Sequence, residues 1–72
     1  MPMPKMQPVN SSSIAALGYD PENQCVYVRF HHGLTYAYQG VPVHEYESLR
    51  TATSIGAHFN RNFRDVYPYE RV

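Results

Sequence analysis

The chain has one cysteine, no tryptophan and no net charge, six Lys and Arg balancing six Asp and Glu over 72 residues. Each shortage excludes something. Cys25 alone cannot close a disulfide within the chain, and a lone cysteine fits a reducing compartment. Without surplus cations the chain lacks the footprint of a protein that grips a long phosphate backbone. No apolar run approaches the length of a membrane span, and the first residues lack the apolar stretch of a secretory signal. A soluble, cytoplasmic protein with no membrane partner is expected. A chain this short is one domain and buries only about 60% of its unfolded surface. Small scaffolds usually need a staple. Disulfides are excluded and metal spacing is missing, so homo-oligomerisation is the staple left open.

Catalytic and metal signatures are also sparse. Of the four histidines, His31 and His32 are adjacent and His44 and His58 stand apart. None has the His-x-x-x-His spacing that puts two ligands on one face. No Gly-x-Ser-x-Gly elbow occurs, and Cys25 has no base beside it in sequence. No catalytic residue, metal or cofactor is expected. What the chain does have is tyrosine, seven in all. Tyrosine has an apolar body and a polar tip, and suits half-buried positions and binding surfaces.

Residues 1–10 read as a flexible tail, since Pro2, Pro4 and Pro8 block helix and no apolar period appears. Residues 11–72 read as one domain. Ser11-Ser12-Ser13 leads into a strand over 14–19. Asp20-Pro21-Glu22-Asn23 is a turn, because proline fixes its first central residue and Asp and Asn favour turns. Residues 24–30 alternate, with Val26, Val28 and Phe30 on one face and Cys25, Tyr27 and Arg29 on the other. A third strand follows over 34–39.

Pro42 suits the first position of a helix, and Val43, Tyr46 and Leu49 form an apolar stripe as far as Arg50. Thr51-Ala52-Thr53 breaks that helix and Ser54 caps another. In the second helix Ile55, Phe59, Phe63 and Val66 or Tyr67 face inward. His58, Arg61, Arg64 and Asp65 face solvent, with Arg61 and Asp65 spaced for a helical ion pair. Pro68 ends the helix and residues 69–72 read as a short tail. The expected fold is α+β: a three-stranded antiparallel β-meander with two C-terminal α-helices packed on one face.

The turn before the third strand decides where Tyr36 and Tyr38 point. A two-residue turn at His32-Gly33 pairs Val28 with Ala37 and puts both tyrosines beside Tyr27 and Arg29. A three-residue turn, His31-His32-Gly33, pairs Val28 with Tyr36 and Val26 with Tyr38, on the core face. The second register is preferred, because glycine third in such a loop suits the left-handed bulge position and the two apolar patterns then agree.

Val9-Asn10-Ser11-Ser12, Gly18-Tyr19-Asp20, the alternation of Val26, Val28 and Phe30, Gly33, Tyr36-Ala37-Tyr38 and Gly40-Val41-Pro42 form a recognisable pattern. It continues with Tyr46, Leu49, Ala52, Ser54, Gly56, Phe59-Asn60, Arg64 and Tyr67. Over residues 9–67 the chain resembles the KTSC domain. That module is named for its place at the C-terminus of some lysyl-tRNA synthetases, and it also stands alone in small bacterial and phage proteins. Tyr-x-Tyr and Ser-x-Gly-x-x-Phe-Asn carry most of the resemblance. Phe63 stands where a branched aliphatic is more usual, which reads as an exchange within the core. The resemblance implies the fold. Its neighbourhood with a tRNA enzyme suggests RNA binding, although a fold does not fix a function.

Aromatic side chains on a sheet can stack on bases while arginines hold phosphates. Tyr27, Arg29, Tyr36 and Tyr38 are the candidates on the sheet, with Arg61 and Arg64 from the second helix. The plainer alternative is core tyrosines and solvated arginines. Ser54 and Gly56 stand where backbone N–H groups can meet an anion, or where they simply cap and pack. Asn60 can tie a loop or read a polar ligand edge. The expected function is non-catalytic binding of a nucleotide-type ligand, single-stranded RNA or a free nucleotide. The alternative is a protein-interaction or self-assembly module, such as a phage-encoded oligomer that sequesters a signalling nucleotide.

Overall fold

The tight turn over residues 20–23 is built by Asp20. Its carboxylate accepts the Glu22 N–H at 3.0 Å and the Asn23 side-chain amide at 2.8 Å. The Asn23 amide first, then these backbone N–H groups, hold the Asp20 carboxyl below its ordinary range. The computed structural model describes residues 4–72. Its elements in chain order are β1 (Gln7–Pro8), β2 (Ile14–Asp20), β3 (Cys25–Phe30), β4 (Thr35–Tyr38), α1 (Val43–Arg50), α2 (Ile55–Asn62) and β5 (Tyr69–Arg71). The five strands form one antiparallel sheet in the order β1-β2-β3-β4-β5. Among the described residues no helix is long and apolar enough to cross a membrane.

The sheet therefore has five strands, where the alternation marks three. Both additions lie in segments that read as tails. Gln7 pairs with Leu17 and Pro8 with Ala16. Proline fits there because β1 is an edge, where a missing N–H leaves no ladder bond unmade. At the other edge Tyr69 pairs with Tyr38 and Arg71 with Tyr36, and the Val72 N–H reaches the Thr35 carbonyl at 3.0 Å. Two and three residues are too few to display a period, so neither strand is visible in the pattern. Residues 1–3 of the expected tail lie outside the described residues. Residues 4–6 lie against Gly18, where a Cβ would meet Met6 Sδ at 2.8 Å and the Lys5 carbonyl at 3.2 Å.

The three-residue turn is the one observed. Val26 stands opposite Tyr38 and Val28 opposite Tyr36. Phe30 and Leu34 close the loop by backbone bonding at 2.9 Å, and Gly33 takes φ +101°. That is a left-handed angle costly for any residue with a Cβ. His31 Nε2 lies 2.8 Å from the Ser11 carbonyl, tying this loop to the lead into β2.

One hydrophobic cluster joins Ile14, Leu17, Val26, Val28 and Tyr38 of the sheet to Tyr46 and Leu49 of α1 and Ile55 and Phe59 of α2, with Val41 and Phe63 from the connections. The Tyr19 ring stacks on Tyr46 at 5.0 Å, and its hydroxyl donates to the Val41 carbonyl at 2.7 Å, fixing the entry to α1. Val43 is 55% exposed, so the apolar stripe of α1 narrows to Tyr46 and Leu49.

Helix α2 ends at Asn62, short of the expected span to Tyr67. Phe63 leaves helical geometry at φ −122°, and the Arg64 N–H turns back to the Phe59 carbonyl at 3.1 Å. Phe63 and Tyr67 still pack inward, but through a turn. The helical spacing between Arg61 and Asp65 is thereby lost, and among the described residues they form no ion pair. His58 is half-buried and does not face solvent freely. Its Nε2 is buried with no hydrogen-bond partner among the described residues.

Candidate functional site

The register that sends Val26 and Val28 into the core also sends Tyr36 and Tyr38 to that face. Tyr38 is buried and Tyr36 half-buried. Strand β5 then sets Tyr69 beside them, 56% exposed. The Tyr69 ring stacks on Tyr38 at 5.2 Å and meets Tyr36 edge-on at 5.6 Å. Phe30 closes the other side, edge-on to Tyr36 at 5.8 Å and to Phe59 at 5.6 Å. His32 stacks on Phe30 at 5.3 Å. Edge-to-face and offset contacts of this kind hold rings in fixed orientations and contribute about 0.5–1.5 kcal/mol each beyond area burial.

These rings wall an open cleft of about 560 Å³, with Ser13, Asn60, Arg64 and Asp65 as its polar lining. Its size falls in the range of small-molecule sites. Asn60 comes from the last turn of α2, and Arg64 and Asp65 come from the turn that ends that helix. Ser13 is placed by the lead into β2, where the His31 N–H bonds its carbonyl at 3.1 Å. His32 Nδ1 accepts the Leu34 N–H at 3.2 Å, so its Nε2 carries the ring proton in the neutral form.

The electrostatics of the cleft are close to balanced. Arg64 and Asp65 stand side by side in the chain, and neither pairs with an opposite charge among the described residues. The Tyr38 hydroxyl is pushed up to about 12, first by burial, then by Tyr69 and Tyr36; Arg64 works the other way and Asp65 adds to the rise. Tyr38 is thus a neutral wall of the site near neutral pH.

Of the residues that sequence reasoning singles out, the cleft brings together Tyr36, Tyr38, Asn60 and Arg64. Tyr27 and Arg29 lie on the opposite face of β3, opposite Ala37 and Thr35. The Arg29 Nε meets the Thr35 hydroxyl at 3.5 Å. Arg61 is exposed on α2 and does not line the cleft. Ser54 and Gly56 line a second hollow with Ser11, Ser12 and Ser13, which adjoins the cleft through Ser13 and Asn60. The Ser54 hydroxyl accepts the Ala57 N–H at 3.3 Å, as a cap does. A Cβ on Gly56 would sit 3.1 Å from Ser13 Oγ, so the helix start and the serine lead are in close contact.

Sequence reasoning missed Phe30, His32, Phe59, Asp65, Tyr69 and Ser13 as cleft residues. The signal for Phe30 and Phe59 was present, since both were assigned to the core face. Nothing local marked Tyr69, which reaches the cleft only through the pairing of β5. Cys25 sits away from the cleft, and burial first, with Asp20 and Glu70 adding, pushes its thiol up and disfavours the thiolate. Among the described residues no three His, Cys, Asp or Glu side chains converge as a metal would require.

A small α+β domain, with a meandering antiparallel sheet, two helices before its last strand and an aromatic cleft beside that strand, defines a recognisable class. The sequence pattern of the KTSC domain matches residues 10–67. A KTSC domain protein of Yersinia pestis has the same fold, with a TM-score of 0.89 and 33% identity over 94% of this chain and 96% of that one. The chain belongs to the KTSC domain family. It is also 43% identical over 65 residues to an uncharacterised protein of Stutzerimonas stutzeri strain A1501, spanning 89% of this chain and 92% of that protein. A protein of Tsukamurella paurometabola is 47% identical over 55 residues, 76% of this chain and 82% of its own length.

Proposed function

We propose that this domain is a non-catalytic binding module for a nucleotide-type ligand, single-stranded RNA or a free nucleotide, and that the ligand sits in the cleft between Phe30, Tyr36 and Tyr69. One observation carries the proposal: half-buried Tyr36 and exposed Tyr69 line the same open cleft as Asn60 and Arg64. A base stacks on a tyrosine face, an amide reads its edge, and a guanidinium meets a phosphate. One arginine with zero net charge suits a short contact with one or two nucleotides, not a long backbone. In this proposal both helices cover the cleft-bearing face of the sheet, which their shared hydrophobic cluster supports. The setting is cytoplasmic, in keeping with the single free Cys25.

Calorimetric titration against mononucleotides, with electrophoretic shift of short single-stranded RNA, tests it. Saturable binding that is lost in Tyr69→Ala is expected. Folded protein that binds neither at millimolar ligand refutes it. A second proposal is favoured by a separate observation: Val66, Tyr69 and Val72, before, in and just after β5, are more than half exposed. A second copy docking there would close the cleft over a small nucleotide. Light scattering decides this version, since a strict monomer in the presence of ligand rules it out.

A further inference from the structure

The polar lining of the cleft carries a choice among bases. An isolated carboxylate offers two acceptor oxygens side by side and, when ionised, no donor. Of the four RNA bases only guanine presents two adjacent donors on its Watson–Crick edge, the ring N1–H and the exocyclic 2-amino group. Adenine and cytosine each offer one amino group beside an acceptor, and uracil one N–H between two carbonyls. Asp65 brings such a carboxylate to the cleft wall, and it forms no ion pair among the described residues. Donors for the remaining guanine acceptors are at hand. His32 Nε2 carries its proton because Nδ1 is occupied by the Leu34 N–H, and the Asn60 amide and Arg64 guanidinium line the same space.

Resting on the nucleotide reading above, we propose that the cleft selects guanine, with Asp65 as the specificity-determining residue that accepts from N1–H and the 2-amino group. The base then stacks against Tyr36 or Tyr69. Arg64 is the single arginine of the cleft lining and stands beside Asp65, which suits one phosphate better than several, so the favoured ligand is a guanosine monophosphate unit, either free or within an RNA strand.

The test is calorimetric titration of the full chain with GMP, IMP, AMP, CMP and UMP, and with short single-stranded RNAs carrying one guanosine or none. IMP is the sharpest probe, because it differs from GMP only by the 2-amino group. At least about tenfold preference for GMP over AMP is expected, the smaller end of what a good bidentate contact gives. IMP should fall between them. The isosteric Asp65→Asn should abolish the GMP advantage over IMP, while AMP should bind no more weakly and rather tighter, since a carboxamide matches the amino donor and neighbouring N1 acceptor of adenine. Asp65 is exposed, so this variant is expected to fold. Tighter binding of the guanosine RNA than of GMP assigns the ligand to RNA, and the reverse assigns it to a free nucleotide. Equal affinity for all bases overturns guanine selection and leaves the nucleotide site standing. No binding of any probe overturns both.

Discussion

Gly18 offers the most exacting check on this fold. Its Cβ position is occupied by residues 4–6: Met6 Sδ would lie at 2.8 Å, the Lys5 carbonyl oxygen at 3.2 Å and Pro4 Cγ at 3.4 Å. Two effects oppose each other in Gly18→Ala. Alanine narrows the unfolded ensemble, a gain of about 0.4–1 kcal/mol where the native backbone tolerates it. Inserting a methyl into an occupied site costs about 1–3 kcal/mol. Met6 can rotate its thioether aside, but the Lys5 carbonyl is backbone and moves only with the whole segment. The clash therefore outweighs the entropy gain, and the full chain should lose about 1 kcal/mol or more. That loss is capped by the docking free energy of the segment, because complete release relieves the contact. Deleting residues 1–6 removes every atom in the way, so there Gly18→Ala should stabilise by about 0.5 kcal/mol. The change of sign is the signature, and the coupling between the two changes should be about 1.5 kcal/mol or more. Urea unfolding followed by far-ultraviolet circular dichroism measures all four proteins. An equal effect of the substitution with and without residues 1–6 would refute the packing described for Gly18.

Four other expectations follow from the geometry. Gly33 sits at φ +101° with open space around it, so Gly33→Ala should cost about 1–2 kcal/mol from backbone strain alone, read by the same unfolding assay. Tyr69→Ala should lower ligand affinity by about 1–3 kcal/mol in calorimetry, and should also cost about 1 kcal/mol or more of unfolding free energy, because its ring contacts with Tyr38 and Tyr36 are lost. Tyr38 is held neutral up to about pH 12 against 10.0 for an ordinary tyrosine, so the unfolded chain gives up that proton first. Its contribution to stability is complete below about pH 10 and is lost as the pH rises through about 12; Tyr38→Phe should flatten that alkaline fall in urea unfolding. Ser54→Ala removes the cap of α2 and should cost about 1 kcal/mol, with Ser54→Asp retaining most of it.

The central meander was legible because its residues obey local rules. Val26, Val28 and Phe30 alternate, Gly33 supplies the left-handed corner, and together they fix the register that turns Tyr36 and Tyr38 inward. The start of α2 was legible from Ser54, and its end was not. Ile55, Phe59 and Phe63 keep a four-residue step whether the chain turns after Asn62 or continues, since Phe63 reaches the core from a turn as well. That ambiguity also produced the unrealised Arg61–Asp65 pair. Strands β1 and β5 were hidden for a different reason: each is held by pairing with a longer strand, not by any pattern of its own. The cleft was half legible in consequence. Tyr36, Tyr38, Asn60 and Arg64 were named from type and position, while Tyr69 depends on a pairing between residues far apart in sequence. Tyr27 and Arg29 shared a chemistry with that group but sit on the other side of the sheet.

The place of β5 in the chain has a consequence for the order in which the domain is made. Strands β1 to β4 follow one another directly, so their pairing closes only short loops. Joining β5 to β4 must close a far longer one that includes both helices, with Gln39 and Glu70 meeting across 31 positions. Closure entropy grows with loop length, so this last rung of the ladder forms after the rest and opens before it. Tyr69 travels on that rung. The cleft is therefore assembled last and lost first, and a ligand that stacks on Tyr69 acts as a latch on the end of the sheet. Its arrival would be read as slowed hydrogen exchange at the β5 amides, while the amides of β2 and β3 exchange as before.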